Sequence, residues 1–398
     1  MRKHMNRLSL LAGALALATA CSDTPTAPVE TPRETSQIAK SAVKFWEAGA
    51  TVGWNKTARD LIVLRAVAPP LQPRVLAYLT LAQYNAIVTA EDTKDGGTNA
   101  SPAAAVGGAS VVVLKSFFPL DGALIDAQLA EQLAATPWPG EKQKDPASGE
   151  AVGRAVGAAV LAYAAADNFN VLPVPPVPVG PGFWFSSGAP IVRALWGMRP
   201  FFLTSPDQFR PGQPPAFGSP EYLTDLAEIR MISDTRTPEQ LAIAQFWNSR
   251  VAGYMNQIGA ELIVAHKLTE REAAHVLALA NMAAVDAVIG CWDAKFTYWF
   301  IRPSQADPAI TLPIGLPNHP SYISGHSCNT ASFATVYEHA FPTETAVLEG
   351  YVTEAGLSRM YGGIHYRFDI AAGQQLGRNV AAWAIAHDVV GHEPFPMD

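Results

Sequence analysis

An all-α fold is what this sequence predicts, arranged as two packed helical bundles joined by a long Pro/Gly/aromatic segment. Three observations carry that reading. Alanine-rich stretches with apolar residues three and four apart recur along the chain. Strand-like alternation is scarce. And 49% of the 398 residues are hydrophobic against 16% charged, enough apolar material for a sizeable core.

The chain opens with Arg2, Lys3 and Arg7 ahead of the apolar run LSLLAGALALATA, the make-up of an export signal and too short to span a bilayer. The run ends at Ala20-Cys21. ATAC resembles a bacterial lipoprotein cleavage box, with Leu17 one place earlier than the usual pattern prefers, and the polar SDTPTAPVETPRETS that follows suits a tether. The expected division is a signal peptide over 1–20, a disordered tether over 21–40 and a folded domain over 41–398. The protein would be exported to the periplasm, or held at the outer membrane or cell surface by a lipid anchor at Cys21. Ordinary cleavage that leaves Cys21 unlipidated, or removes it, is the alternative.

Within the domain, helical patterning covers about 57–92, 102–134 and 149–166 in an N-terminal half (41–170). It covers 237–264, 270–301 and 325–340 in a C-terminal half (236–398). Two of these starts carry capping boxes, Thr237-Pro238-Glu239-Gln240 and Thr269-Glu270-Arg271-Glu272. Between the halves, 171–235 reads as an irregular strap. Phe183, Trp184, Phe185, Trp196, Phe201 and Phe202 argue that it packs on the body. Arg154, Asn281 and Asp286 interrupt the longest apolar runs of the domain, which argues against a spanning helix after the leader. A net charge of −7 with no dense basic block argues against nucleic acid as a partner.

Three motifs carry chemistry. In CWDAKFTYWFIRP, Lys295 and Arg302 are seven apart, so a continuous helix places both cations on one face together with Trp292 and Trp299. Arg302 precedes Pro303, so the helix is expected to end there. In HPSYISGHS, Ser324-Gly325-His326 leads into a helix. A helix start offers free N–H groups, Gly325 admits close backbone approach and His326 exchanges protons near neutrality. In SRMYGGIHYRFD, the Gly362-Gly363 break can turn both Arg359 and His365 inward, and Asp369 is spaced to hold the imidazole of His365. Each motif alone is more often structural. Together they supply three cations, a donor loop and two histidines, the shell that a tetrahedral oxyanion needs.

With those motifs, the chain resembles the vanadium-dependent haloperoxidases and the type 2 phosphatidic acid phosphatases that share their signature. It departs in having Ile323 where a proline usually precedes Ser-Gly-His. RVLAYLTLAQYNAIVTAED (74–92), RPGQPPAFGSPEYLTDL (210–226), IAQFWN (243–248) and ANMAAVDAVIGCWDAKF (280–296) are similar to bacterial haloperoxidases, so the likeness spans nearly all of the domain. The resemblance implies vanadate as cofactor, bonded to the ring nitrogen of His365 as its one protein metal ligand. Lys295, Arg302, Ser324, Gly325 and Arg359 would hold its oxygens, with His326 as acid–base residue and Lys295 polarising bound peroxide. Trp292 would border the halide, and His319, at a position where relatives carry an aromatic or a histidine, points to bromide or iodide.

The implied reaction takes hydrogen peroxide, halide and small organic acceptors. An acid phosphatase working through a phosphohistidine at His365 is the alternative, and a non-catalytic surface lipoprotein that binds oxyanions is a third reading. Cys291 and Cys328 flank the site in sequence, so both are expected to be deeply buried or joined to each other.

Overall fold

The structure, a computed structural model, describes residues 49–95, 98–135, 140–169, 176–389 and 393–397. The expected signal peptide, Cys21 anchor and tether lie outside the described residues. Among those described are thirteen α-helices, and the one sheet is an antiparallel pair of two-residue strands, Lys94–Asp95 and Thr98–Asn99. The fold is all-α, as expected.

The first group comprises α1 (Gly49–Leu64), α2 (Gln72–Asp92), α3 (Pro102–Phe117), α4 (Gly122–Ala134) and α5 (Pro146–Ala165). Prolines set its breaks. Pro69 and Pro70 open a 3-10 turn between α1 and α2, and Pro119 ends α3, so the expected helices over 57–92 and 102–134 are each two. α3 and α5 approach so closely that a Cβ at Gly153 would lie 2.0 Å from the Ala105 carbonyl oxygen. Only glycine permits that spacing.

The second group follows the strap: α6 (Pro220–Thr235), α7 (Pro238–Trp247), α8 (Val251–His266), α9 (Glu270–Tyr298), the short α10 (Pro303–Ala306), α11 (Gly325–Ala340), α12 (Thr345–Tyr361) and α13 (Arg367–Ala386). Both expected capping boxes form, at Thr237 and Thr269. The last sixteen residues of the expected strap are helix α6, opened by the N-cap Ser219 and Pro220. The patterned stretch 237–264 breaks between α7 and α8.

α9 is the axis of the molecule, packed against α2 on one side and against α11 and α13 on the other. By length and composition it could cross a membrane, but it is almost wholly covered by the rest of the fold. The two polar residues that interrupt it are anchors. Asp286 accepts hydrogen bonds from the amides of Phe201, Phe202 and Leu203 at 2.7, 2.7 and 3.0 Å, tying the strap down. Asn281 donates to the carbonyl of Leu277, one turn earlier on the same helix.

The strap is also stitched to the segment after α9. The amide of Trp184 donates to the Trp299 carbonyl, that of Ile191 to Asn318, and the two indoles Trp184 and Trp299 pack 6.0 Å apart. Trp184 is buried as expected, whereas Phe185 faces solvent.

Candidate active site

α9 ends at Tyr298, earlier than expected, because Trp299 turns into the left-handed region (φ 50°) and its amide caps Lys295. The chain is therefore extended at Arg302, which caps α10. Lys295 and Arg302 do not share a helix face, nor do Trp292 and Trp299. The two cations are brought together instead by the returning loop 319–324, which both of them grip.

Lys295 is fully buried, and its ammonium donates to the carbonyls of Pro320 (2.9 Å), Ser321 (2.8 Å) and Ile323. Burial holds its pKa down to about 8, so it is cationic at neutral pH. Arg302 donates through Nε to the His319 carbonyl at 3.0 Å and through Nη1 to the Ile364 carbonyl at 2.6 Å. Its Nη1 lies 3.1 Å from Nε2 of His365 and its Nη2 lies 3.0 Å from Nδ1 of His319. A guanidinium only donates, so Nε2 of His365 carries a lone pair, while Nδ1 of His319 lies between Arg302 and the Pro320 carbonyl, 3.2 Å away.

Ser324 is the N-cap of α11, accepting from the amide of Ser327 through its hydroxyl oxygen and from that of Cys328 through its carbonyl. That leaves the first two amides of the helix, Gly325 and His326, without a partner inside it. His326 donates its Nε2–H to the Trp247 carbonyl at the end of α7 (2.8 Å), so Nδ1 is its basic nitrogen.

Arg359 and His365 come to one place through the turn after α12. Gly363 adopts φ 72°, which favours glycine, and its own packing against Thr311 leaves little room for a side chain. Arg359 uses Nε on the Ser358 hydroxyl and Nη2 on the Ala244 carbonyl, leaving Nη1 without a hydrogen bond among the described residues. His365 donates Nδ1–H to Oδ2 of Asp369 at 2.8 Å. Ser321 Oγ (2.6 Å) and the Tyr366 amide (3.2 Å) donate to the same oxygen. Asp369 thus fixes the tautomer of His365 with its Nε2 lone pair on the side of Arg302. Ser321 is a support that the sequence reading missed.

These groups surround a cavity of about 260 Å³. Gly325, His326, Arg359 and His365 are on its wall, as are Trp292 and His319, whose rings lie 5.1 Å apart. Lys295, Arg302, Ser324 and Asp369 stand behind that wall rather than on it. His319 is buried, not a solvent-facing loop residue. Burial, reinforced by the neighbouring cations, holds the pKa of His319, His326 and His365 well below the ordinary range, so all three are neutral. Burial lowers Arg302 to about 10 and Arg359 to about 9, both still charged at neutral pH. Burial also raises Asp369 to about 6, against its hydrogen bond from Ser321 and the pull of Lys295 and Arg302. Cys291 and Cys328 are buried free thiols behind the cradle, the former donating to the Ile323 carbonyl at 3.6 Å. This meets the first half of what the sequence led us to expect of them.

At neutral pH the site therefore holds three cations against one carboxylate, two free amides at a helix start and a tethered lone pair on His365. That combination has the chemistry to receive a tetrahedral oxyanion, and a lone pair that could bond to its centre.

Comparison with known proteins agrees with the fold. Residues 341–390 match the family described as the VCPO second helical-bundle domain. The chain is similar to the crystal structure of the first bacterial vanadium-dependent iodoperoxidase, with TM-score 0.70 and 21% identity, over 90% of this chain and 97% of that one. It is also similar to a bacterial vanadium-dependent chloroperoxidase in its holo form (TM-score 0.65, 13% identity, 79% of this chain and 91% of that one). The apo-type bacterial chloroperoxidase structure gives TM-score 0.65 at 14% identity, over 81% of this chain and 95% of that one. No curated protein matches the chain.

Proposed function

We propose a vanadate-dependent haloperoxidase: residues 341–390 match the VCPO second helical-bundle domain, and the fold is shared with bacterial vanadium-dependent haloperoxidases. The observation that carries the reading is the His365 Nε2 lone pair, held by Asp369 at the wall of a cavity with excess positive charge. The donor set fits vanadate. His365 Nε2 would bond to the vanadium, Arg359 Nη1 and the amides of Gly325 and His326 would donate to its oxygens, and Arg302 would stabilise them from beside His365. When bound, vanadate supplies a Lewis-acidic centre that activates hydrogen peroxide towards halide without redox change at the metal.

The protein's own part is charge, orientation and proton transfer. With its other nitrogen committed to Trp247, Nδ1 of His326 would be the atom that takes a proton from peroxide, once a bound anion offsets the cations that lower its basicity. Lys295 acts through the loop: it locks the carbonyls of 320–323 in place and adds its charge from behind. Polarisation of peroxide by Lys295 would be electrostatic in this arrangement, without a direct hydrogen bond. With Arg302 rather than the Pro320 carbonyl as the partner of Nδ1, His319 would present its Nε2–H beside Trp292 as a donor suited to a halide. That pair supports bromide or iodide as the halide, with small organic molecules as final acceptors. The export signal supports a periplasmic or surface location, with lipid attachment at Cys21.

A second reading stays in play because one feature suits it equally. A tethered imidazole lone pair in an oxyanion cradle is also the nucleophile of a phosphatase that works through a phosphohistidine. The test is the wild-type protein and its H365A variant, assayed for peroxide-dependent iodide and bromide oxidation after orthovanadate loading, and for aryl phosphate hydrolysis without it. We expect halide oxidation in the wild type and none in H365A. Phosphate release without halide oxidation would make the phosphatase reading the right one.

A further inference from the structure

The cavity is larger than the oxyanion chemistry requires. At about 30 Å³ per water, its roughly 260 Å³ holds some nine waters' worth of volume, and a tetrahedral oxyanion of a few atoms fills only part of it. The remainder is walled by Pro69, Pro70, Ile191, Val251, Val288 and Pro317, which is an apolar surface.

Asn248 and Ser249 also line it, and two buried side chains, one on each of the facing helices, bring polar atoms that have no hydrogen-bond partner among the described residues. Asn329, one turn beyond Gly325 on α11, is 1% exposed and borders the cavity, yet neither its Nδ2 nor its Oδ1 has a hydrogen-bond partner among the described residues. On α9, Trp292 also borders the cavity, and its Nε1–H is buried and without a partner. Buried amides are ordinarily paired, and leaving both ends of one unpaired is costly. A halide cannot pair both ends, because it accepts the Nδ2 donor and leaves Oδ1 unmatched. A ligand that offers an acceptor and a donor on neighbouring atoms pairs both.

We propose that Asn329 is a specificity-determining residue that binds the organic acceptor, an apolar molecule carrying a carboxamide group, in the apolar part of the cavity. The inference rests on the reading of the cradle as an oxyanion site, since it places the acceptor beside the group where oxidised halide is generated. On this view the acceptor is held next to the cradle and is not left to meet freely diffusing hypohalite.

The test is calorimetric titration of the full chain with benzamide, an apolar ring bearing one carboxamide, and with ethylbenzene, which lacks the polar group. Benzamide should bind the wild type, and N329L should weaken it by tenfold or more. The near-isosteric N329D, which keeps the shape and loses the amide donor, should weaken it too. Ethylbenzene should be indifferent to either change. The proposal is overturned if benzamide does not bind, if it binds N329D as tightly as the wild type, or if ethylbenzene shows the same contrast. Orthovanadate titration of the wild type keeps the two ideas separate: its failure removes the oxyanion reading while the benzamide contrast still stands or falls alone.

Discussion

Asparagine at position 369 tests whether His365 bonds to the centre of the bound anion or only helps to attract it. All three donors to Asp369 converge on Oδ2, from His365 at 2.8 Å, Ser321 at 2.6 Å and Tyr366 at 3.2 Å, and Oδ1 has no partner. D369N can therefore set its amide oxygen in the place of Oδ2 and its NH2 in the place of Oδ1. The geometry survives and the charge is lost. Removing one negative charge favours any anion in the cavity. For a charge on the far side of the imidazole, ~7 Å away at an effective dielectric of about 20, the gain is ~2 kcal/mol. Between anions of equal charge that gain cancels in the affinity ratio, so each measured affinity is corrected for the ionisation of its anion in solution before the two are compared. What does not cancel is the support a carboxylate gives to a metal-bound imidazole, whose loss typically costs about 10–100-fold in affinity. The ratio of orthovanadate to phosphate affinity should fall by that factor in D369N. The assay is paired calorimetric titration of both anions into both proteins at pH 8, where Asp369 (pKa about 6) is ionised in the wild type. A ratio unchanged within about twofold would refute a bond from His365 to vanadium, because only that bond distinguishes the two anions.

Three further outcomes follow from the fold. D286A orphans three buried amides at about 1–3 kcal/mol each, offset by ~3 kcal/mol from no longer burying a carboxylate whose pKa stands at about 6 against 3.8. Chemical denaturation should show a net loss of ~3 kcal/mol. Glu270 accepts from the Ala50 and Thr51 amides at the start of α1, and burial raises its pKa from 4.5 to about 8. The folded state then holds that proton more tightly than the unfolded chain, so stability falls as pH rises from about 4.5 to 8, by roughly 3–5 kcal/mol for this group. Denaturant midpoints of E270Q should lack that part of the decline between pH 5 and 8, and equal slopes in both proteins would contradict it. G377A puts a methyl 2.3 Å from the Cys328 carbonyl oxygen, forcing α13 away from the helix that carries the cradle. We expect a loss of about 1–3 kcal/mol in thermal unfolding, with weaker oxyanion binding at temperatures where the variant is folded.

The parts of this molecule that were readable in the sequence are those decided locally. α11 runs over the expected 325–340 because Ser324 is a competent cap and the periodic pattern after it is unbroken. The Gly362-Gly363 turn delivers Arg359 and His365 to one cavity, as the glycines suggested. What was not readable depended on tertiary contact. The end of α9 could not be placed because Trp299 is held in the left-handed region by packing against Trp184 and a hydrogen bond from its amide, contacts 115 residues apart in the chain. Asp286 reads as an interruption of an apolar helix, and only the fold shows the strap amides it serves. α12 and α13 were not among the stretches read as helix, although α13 carries a well-segregated apolar face. Gly149, Gly153 and Gly157, spaced four apart, did carry a signal for the close approach of α3 and α5 that periodicity alone passes over. Ser321 and Asn329 are ordinary polar residues by type, and neither advertises its position.

The charge balance of the site says more about function than any single residue does. A buried cation is ordinarily neutralised by a carboxylate close by, since unpaired burial is costly. Here Lys295, Arg302 and Arg359 are all buried, and the hydrogen bonds of each run to backbone carbonyls, a serine hydroxyl or histidine ring nitrogens rather than to a carboxylate. Asp369, the buried carboxylate of the cluster, directs its oxygen to His365, Ser321 and the Tyr366 amide. Dipoles satisfy the hydrogens of a cation without cancelling its charge, so the three charges remain available to whatever enters the cavity. A fold selected for stability alone has no reason to keep that arrangement, because one well-placed carboxylate would remove the cost. On the proposed reading the missing negative charge comes from a ligand, whose oxygens would be received by Nη1 of Arg359 and the amides of Gly325 and His326, none of which has a hydrogen-bond partner among the described residues.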